Sequence, residues 1–239
     1  MDIAIKPYHK IAAAGCILFF LLAQVYQYVL KFTLPDAANP VEVVMQRGSI
    51  ENQIRYLLIL LSIFGLIVSF FVLCRTRYNK YPFLSSLAFL FFMLFCVFEI
   101  GYRSVEYFLV IDKWIPAFNN SSDSVYRQAV ILKIRDFDSV VRAIYFPLLS
   151  CHFLGSIFLL STTFVSEPAV KLLRWAMLIN SVRLIIRLFG FFTDNQFLHT
   201  LNNRYYFPLI CLVFLLQLYF LVICEKKEIS ENEHLSSEK

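Results

Sequence analysis

The sequence predicts an all-α polytopic membrane protein, a bundle of six transmembrane helices with both termini cytoplasmic, and three observations carry that reading. Hydrophobic residues make up 59% of the 239-residue chain and charged residues only 16%, too apolar a balance for a soluble domain of this length. Six stretches, 10–32, 53–74, 82–110, 138–164, 168–192 and 205–224, reach the ~20 apolar residues that cross a hydrocarbon core. Cations collect in alternate connections: Lys6 and Lys10, then Arg75, Arg77 and Lys80, then Lys171 and Arg174, then Lys226 and Lys227. The positive-inside rule makes that side cytoplasmic.

Each element has its own justification. The run after Lys10 is too long for a signal-peptide core, so it is read as the first helix. Pro35 and Pro40 mark the first connection, and the second span is almost wholly apolar. Pro82 and Pro168 open the third and fifth spans, and Pro208 falls in the first turn expected of the sixth, where a missing amide is tolerated. Pro147 lies inside the fourth span and predicts a kink there. The second outer connection is long and of mixed charge, with Lys113, Arg127, Lys133 and Arg135 among Asp112, Asp123, Asp136 and Asp138. Ser121, Ser122 and Asp123 form a capping-type start, so the fourth helix is expected to begin well outside the membrane. Residues 1–224 read as one membrane domain without internal repeat, and 225–239 as a polar, disordered cytoplasmic tail. The second and sixth helices, being the most apolar, are expected to face lipid.

Composition also excludes function classes. The six cysteines sit in or at the ends of apolar runs with no Cys-x-x-Cys spacing, so they read as small buried hydrophobes. The net charge of +5 is scattered between segments, which argues against nucleic acid. No nucleophile elbow, zinc-protease helix or phosphate-binding Gly-rich loop is present, and no cofactor or metal site is expected. Asn119 and Asn120 stand in overlapping Asn-x-Ser acceptor patterns, relevant only in a eukaryotic host.

Ionisable side chains inside a span are costly, so each needs a partner or a function. In the third span Glu99, Tyr102, Arg103 and Glu106 recur at helical spacing, and Glu99 and Arg103 are placed to pair. Asp138, Arg142, Tyr145 and His152 follow one face of the fourth, with Asp138 and Arg142 at pairing distance in sequence. Asn180, Arg183 and Arg187 do the same in the fifth, and the first contributes Gln24 and Gln27. At the helical rise, Glu99 lies about 25 Å beyond Pro82 and Arg183 about 22 Å beyond Pro168. Four helices therefore place polar stripes at similar depth, in the outer half.

Two readings fit that coincidence. The stripes are interhelical ion pairs that fix register, with Glu106 meeting Arg183 or Arg187. Or they line a polar cavity, since arginine suits bidentate recognition of a carboxylate or phosphate. The expected lining is Glu99, Arg103, Glu106, Arg142, Tyr145, His152, Arg183 and Arg187, and the expected ligand a small amphiphile or anion. A proton-coupled transporter, an intramembrane enzyme using Glu99, Glu106 or His152 in acid–base chemistry, and a structural subunit are the alternatives. The bilayer is the obligatory partner, and a homo-oligomer is compatible with the sequence.

Three short patterns, Lys10-Ile-Ala-Ala-Ala-Gly15, Arg103-Ser-Val-Glu106, and His152-Phe-Leu-Gly155 followed by Pro168, resemble those of a bacterial six-transmembrane-helix family of unknown function. The resemblance covers about residues 8–192. It implies a six-helix architecture in a bacterial cytoplasmic (inner) membrane, and no activity.

Overall fold

The computed structural model describes residues 5–35, 37–193 and 195–237, with the side chains of His199 and of 224–237 outside the described set. Its helices are α1 (Pro7–Thr33), α2 (Pro40–Arg47), α3 (Ile50–Tyr78), α4 (Pro82–Val105), a π-helical stretch Glu106–Trp114, α5 (Ile115–Asn120), α6 (Ser124–Ser161), α7 (Pro168–Thr193) and α8 (Gln196–Ser237). Six of these units are long and apolar enough to cross a membrane: α1, α3, the continuous run Pro82–Asn120, α6, α7 and Gln196–Ile223 of α8. The expected tail 225–239 lies outside the described side chains.

Local chemistry sets the boundaries. Proline occupies the first helical position of α1, α2, α4 and α7, where its missing N–H costs nothing. Asn39 caps α2 by accepting from Glu42 N at 3.0 Å, and the Glu42 carboxylate returns to Asn39 Nδ2 at 2.8 Å. Asp123 caps α6 through Val125 N at 2.9 Å, so α6 starts outside the apolar span, as its capping sequence predicts. Asn195 caps α8 by accepting from Phe197 N at 2.9 Å. That earlier start places Pro208 in the interior of α8 instead of its first turn. α6 likewise continues through Pro147, whose ring offers no donor to the Ala143 carbonyl one turn back.

The spanning helices close into a ring in chain order, α1 against α3, α3 against α4, α4 against α6, α6 against α7, α7 against α8, and α8 back against α1. The main core runs down this ring, with Phe70 stacked on Phe92 at 4.1 Å between centroids. Expectation fails for α3, which is the most extensively buried span instead of a lipid-facing one. Lipid is as apolar as leucine, so an apolar face does not reveal which neighbour it meets.

The long second connection is not a loop. The π-helical stretch and α5 extend α4, and only three residues, Ser121–Asp123, turn the chain into α6. This extension has its own core, in which Val44 of α2 and Tyr56 of α3 meet Val110, Ile111, Ile115, Phe118, Val130 and Ile134. At the opposite end, Arg77 donates to the Thr162 carbonyl at 2.9 Å and Arg174 to the Thr163 and Val165 carbonyls at 2.6 and 2.7 Å. These arginines bind the carbonyls of the C-cap and of the turn that follows α6.

Candidate functional site

Closing six helices into a ring leaves a pocket of about 620 Å³ at the end that carries the α1–α3 connection, and all six spanning helices border it. Its lining is layered because helical rise converts residue number into depth. The floor is mainly apolar, formed by Phe20, Leu66, Phe95 and Phe214, with His152 stacked on Phe95. Above it lie Gln24, Glu99, Arg183, Arg187 and Tyr206, and the mouth is bordered by Lys31, Pro35 and Asn203, which are exposed. A second cavity of about 190 Å³ between α6, α7 and α8 shares Tyr145, Leu149, Arg187 and Asn202 with the first.

Of the residues singled out from the sequence, Glu99, Arg103, Tyr145, His152, Arg183 and Arg187 border this pocket, whereas Glu106 and Arg142 do not. Glu106 meets Arg47 and, at 3.6 Å, Arg103, rather than Arg183 or Arg187. It opens the π-helical stretch, where α4 leaves the ring for the extension, and so faces α2. Arg142 is exposed on α6 with its guanidinium 5.9 Å from the Phe191 ring centroid. Asp138 receives a fork from Arg47, Nη1 to Oδ2 at 3.1 Å and Nη2 to Oδ1 at 2.9 Å. Burial disfavours the charge of Arg47, but the Asp138 and Glu106 carboxylates more than offset that and raise its pKa.

The acid on the pocket wall is already neutralised. Glu99 accepts from Tyr102 Oη at 2.9 Å and from Arg103 Nε at 3.2 Å, the i,i+4 pair expected from sequence. The two arginines of α7 differ. Arg183 is buried and donates Nε and Nη2 to Asn180 Oδ1 at 3.2 and 2.8 Å, while its Nη1 is buried without a hydrogen-bond partner. Arg187 donates to Tyr145 Oη at 3.2 Å. Neither meets a carboxylate among the described residues, and both guanidinium carbons lie near one ring, 5.6 and 5.5 Å from the Tyr206 centroid.

Arg183 also determines the state of His152. A guanidinium only donates, so Asn180 must turn its oxygen to Arg183 and its amide nitrogen to Ser156 Oγ at 2.8 Å and His152 Nε2 at 3.1 Å. His152 Nε2 is then an acceptor, and its proton sits on Nδ1. The ring is buried and stacks on Phe95 at 4.2 Å, so its nitrogen lone pair is committed to holding α6 against α7. Among the described residues no group of three His, Cys, Asp or Glu side chains is arranged to hold a metal ion.

Sequence reasoning missed Arg55 and Lys31 of the lining. Arg55 sits at the start of α3 with its Nε buried and unpartnered, and its guanidinium carbon 4.5 Å from the Tyr56 ring. Its place inside the second apolar stretch was the available signal. Arg47 had none, because the reach from α2 to Asp138 spans 91 residues of chain.

The fold defines a multi-pass helical membrane protein with six apolar spans. No family model, curated protein or solved structure matches the chain. The resemblance to a bacterial six-helix family therefore rests on its short patterns alone.

Proposed function

We propose that the protein binds a small amphiphilic or anionic ligand in the pocket at the centre of its helix ring. One observation carries the reading: Arg183, only 4% exposed, borders the pocket with Nη1 unpartnered and no carboxylate at ion-pair distance among the described residues. A buried cation of this kind costs several kcal/mol unless an anion compensates it. The neighbouring Arg187 adds a second positive charge, and the one acid bordering the pocket among the described residues, Glu99, is held by Arg103. The volume falls within the ~300–1,000 Å³ typical of small-molecule sites. By the positive-inside rule the end carrying Arg75, Arg77, Lys80, Lys171 and Arg174 is cytoplasmic. The mouth then opens toward the outer face, and a bacterial inner-membrane location follows only from the sequence resemblance.

Native mass spectrometry of the protein extracted in mild detergent tests the proposal, comparing wild type with Arg183→Ala. A discrete bound anionic mass present in wild type and lost in the variant supports it. Equal adducts in both, or none in either, would favour a structural role for the α7 arginines.

A further inference from the structure

Resting on the ligand-binding reading above, we infer that the pocket takes a phosphoryl headgroup carrying a single apolar chain, in preference to a carboxylate amphiphile. The argument begins with how the cations are distributed. In a ring closed in chain order, α3 and α7 stand on opposite walls, each separated from the other by two helices on either side. Arg55 of α3 and Arg183 and Arg187 of α7 all border the same pocket, and none has a carboxylate partner among the described residues. Two of the three keep a buried guanidinium nitrogen without a hydrogen-bond partner, Nε in Arg55 and Nη1 in Arg183.

A carboxylate carries only one negative charge, even where its two oxygens meet two guanidinium groups, as those of Glu106 meet Arg47 and Arg103. Cations on facing walls would then remain uncompensated. A phosphoryl group presents three strong acceptor oxygens and carries about −1.5 to −2 charges near neutral pH. Its tetrahedral oxygens point to different sides, the arrangement that donors on two facing walls of one pocket call for. Among the described residues the acid bordering the pocket is Glu99, which is hydrogen-bonded to Arg103 and Tyr102 and reaches Arg187 only through its field, short of ion-pair contact.

The chain is required by what lies beneath. From the level of Arg55 down α3 to Leu66 is about 16 Å along the helix at 1.5 Å per residue. That depth ends on Phe20, Phe95 and Phe214, which offer a phosphate ion nothing and an alkyl or isoprenoid chain a dry surface. A free inorganic phosphate and a phosphorylated lipid share the headgroup chemistry, and the floor separates them.

The test uses the full chain in phosphatidylcholine nanodiscs, probed by native mass spectrometry with dodecyl phosphate, dodecanoate, dodecanol and inorganic phosphate. The expected result is a saturable single adduct with dodecyl phosphate at least tenfold tighter than with dodecanoate, and none with dodecanol or inorganic phosphate. Arg183→Gln and, separately, Arg55→Gln should each weaken dodecyl phosphate at least tenfold while affecting dodecanoate less. Arg55 lies at the half-exposed edge of the pocket, so its variant covers the case in which Arg183→Gln does not fold. Dodecanoate binding as tightly as dodecyl phosphate overturns the phosphoryl assignment and leaves the anion-binding reading standing. Inorganic phosphate binding as tightly as dodecyl phosphate overturns the chain. Absence of binding by any of the anions overturns both.

Discussion

Arg47 holds Asp138 by a two-bond fork, Nη1 to Oδ2 at 3.1 Å and Nη2 to Oδ1 at 2.9 Å, and so ties α2 to the N-terminal half of α6. The same guanidinium meets Glu106, which is almost fully buried while Asp138 is 51% exposed at its side chain. The two acids should therefore respond differently. Arg47→Met strands a buried carboxylate with only the 3.6 Å approach of Arg103, and should cost about 1–3 kcal/mol. Asp138→Asn removes a solvent-screened partner and should cost under about 1 kcal/mol. Thermal midpoints of the two variants in one detergent check this, and equal losses would show that Glu106 does not depend on Arg47.

The Glu99–Arg103 pair gives a second prediction because Arg103 serves two acids, Glu99 at 3.2 Å and Glu106 at 3.6 Å. Arg103→Met alone leaves Glu99 without its cation, and should destabilise by about 3–5 kcal/mol, as breaking a buried pair does. Glu99→Gln combined with Arg103→Met removes both charges and should recover most of that loss. If the pair also shapes the pocket, the double variant stays folded but loses the bound mass seen in wild type. A double variant as unstable as Arg103→Met, measured by denaturation in the same detergent, would contradict the pairing.

The sequence revealed the elements that composition controls and concealed the ones that tertiary reach controls. Six apolar stretches, the proline-opened helices and the Asp123 cap all follow from local chemistry, and the structure has them. Glu99 with Arg103 was legible because four residues make one helical turn. Asp138 was not, since its partner Arg47 belongs to a short helix set in a proline-flanked connection. The helical extension of α4 was not legible because the charges around it mask Ile111, Ile115 and Phe118, whose burial against Val130 and Ile134 makes it helical, whereas the early start of α6 follows from its capping sequence. Arg55 was overlooked for the opposite reason, as one cation within a stretch otherwise apolar enough to pass as featureless.

Gly155 supplies a third prediction. A Cβ there would fall 2.8 Å from Phe92 Cδ1, and Phe92 cannot retreat because its other face stacks on Phe70 at 4.1 Å and 7°. Gly155→Ala should therefore cost about 1–3 kcal/mol through overpacking between α4 and α6. Gly101 on α4 meets nothing within 4 Å of an added Cβ, so Gly101→Ala should be neutral or gain up to about 1 kcal/mol from helix propensity. Paired thermal melts test the contrast. Similar behaviour of the two variants would mean that α4 and α6 do not approach as closely as Gly155 permits.

Arg183 gives the prediction that best separates a site from a scaffold. In an ordinary structural pair, removing the cation destabilises the protein, because a buried acid is left behind. Arg183 has no such acid among the described residues, only Asn180 Oδ1 and an unpartnered Nη1. Arg183→Met exchanges a buried charge for a flexible apolar side chain of comparable length, at the cost of one acceptor on Asn180, about 1 kcal/mol. In delipidated, ligand-free protein its thermal midpoint should equal or exceed that of wild type, the usual sign of a residue kept for function at the expense of stability. Adding dodecyl phosphate should raise the wild-type midpoint and leave the variant unmoved, because a ligand stabilises only the state that binds it. A ligand-free Arg183→Met protein as unstable as Arg47→Met would instead make Arg183 part of the scaffold, its charge serving the contact between α6 and α7 through Asn180 and His152.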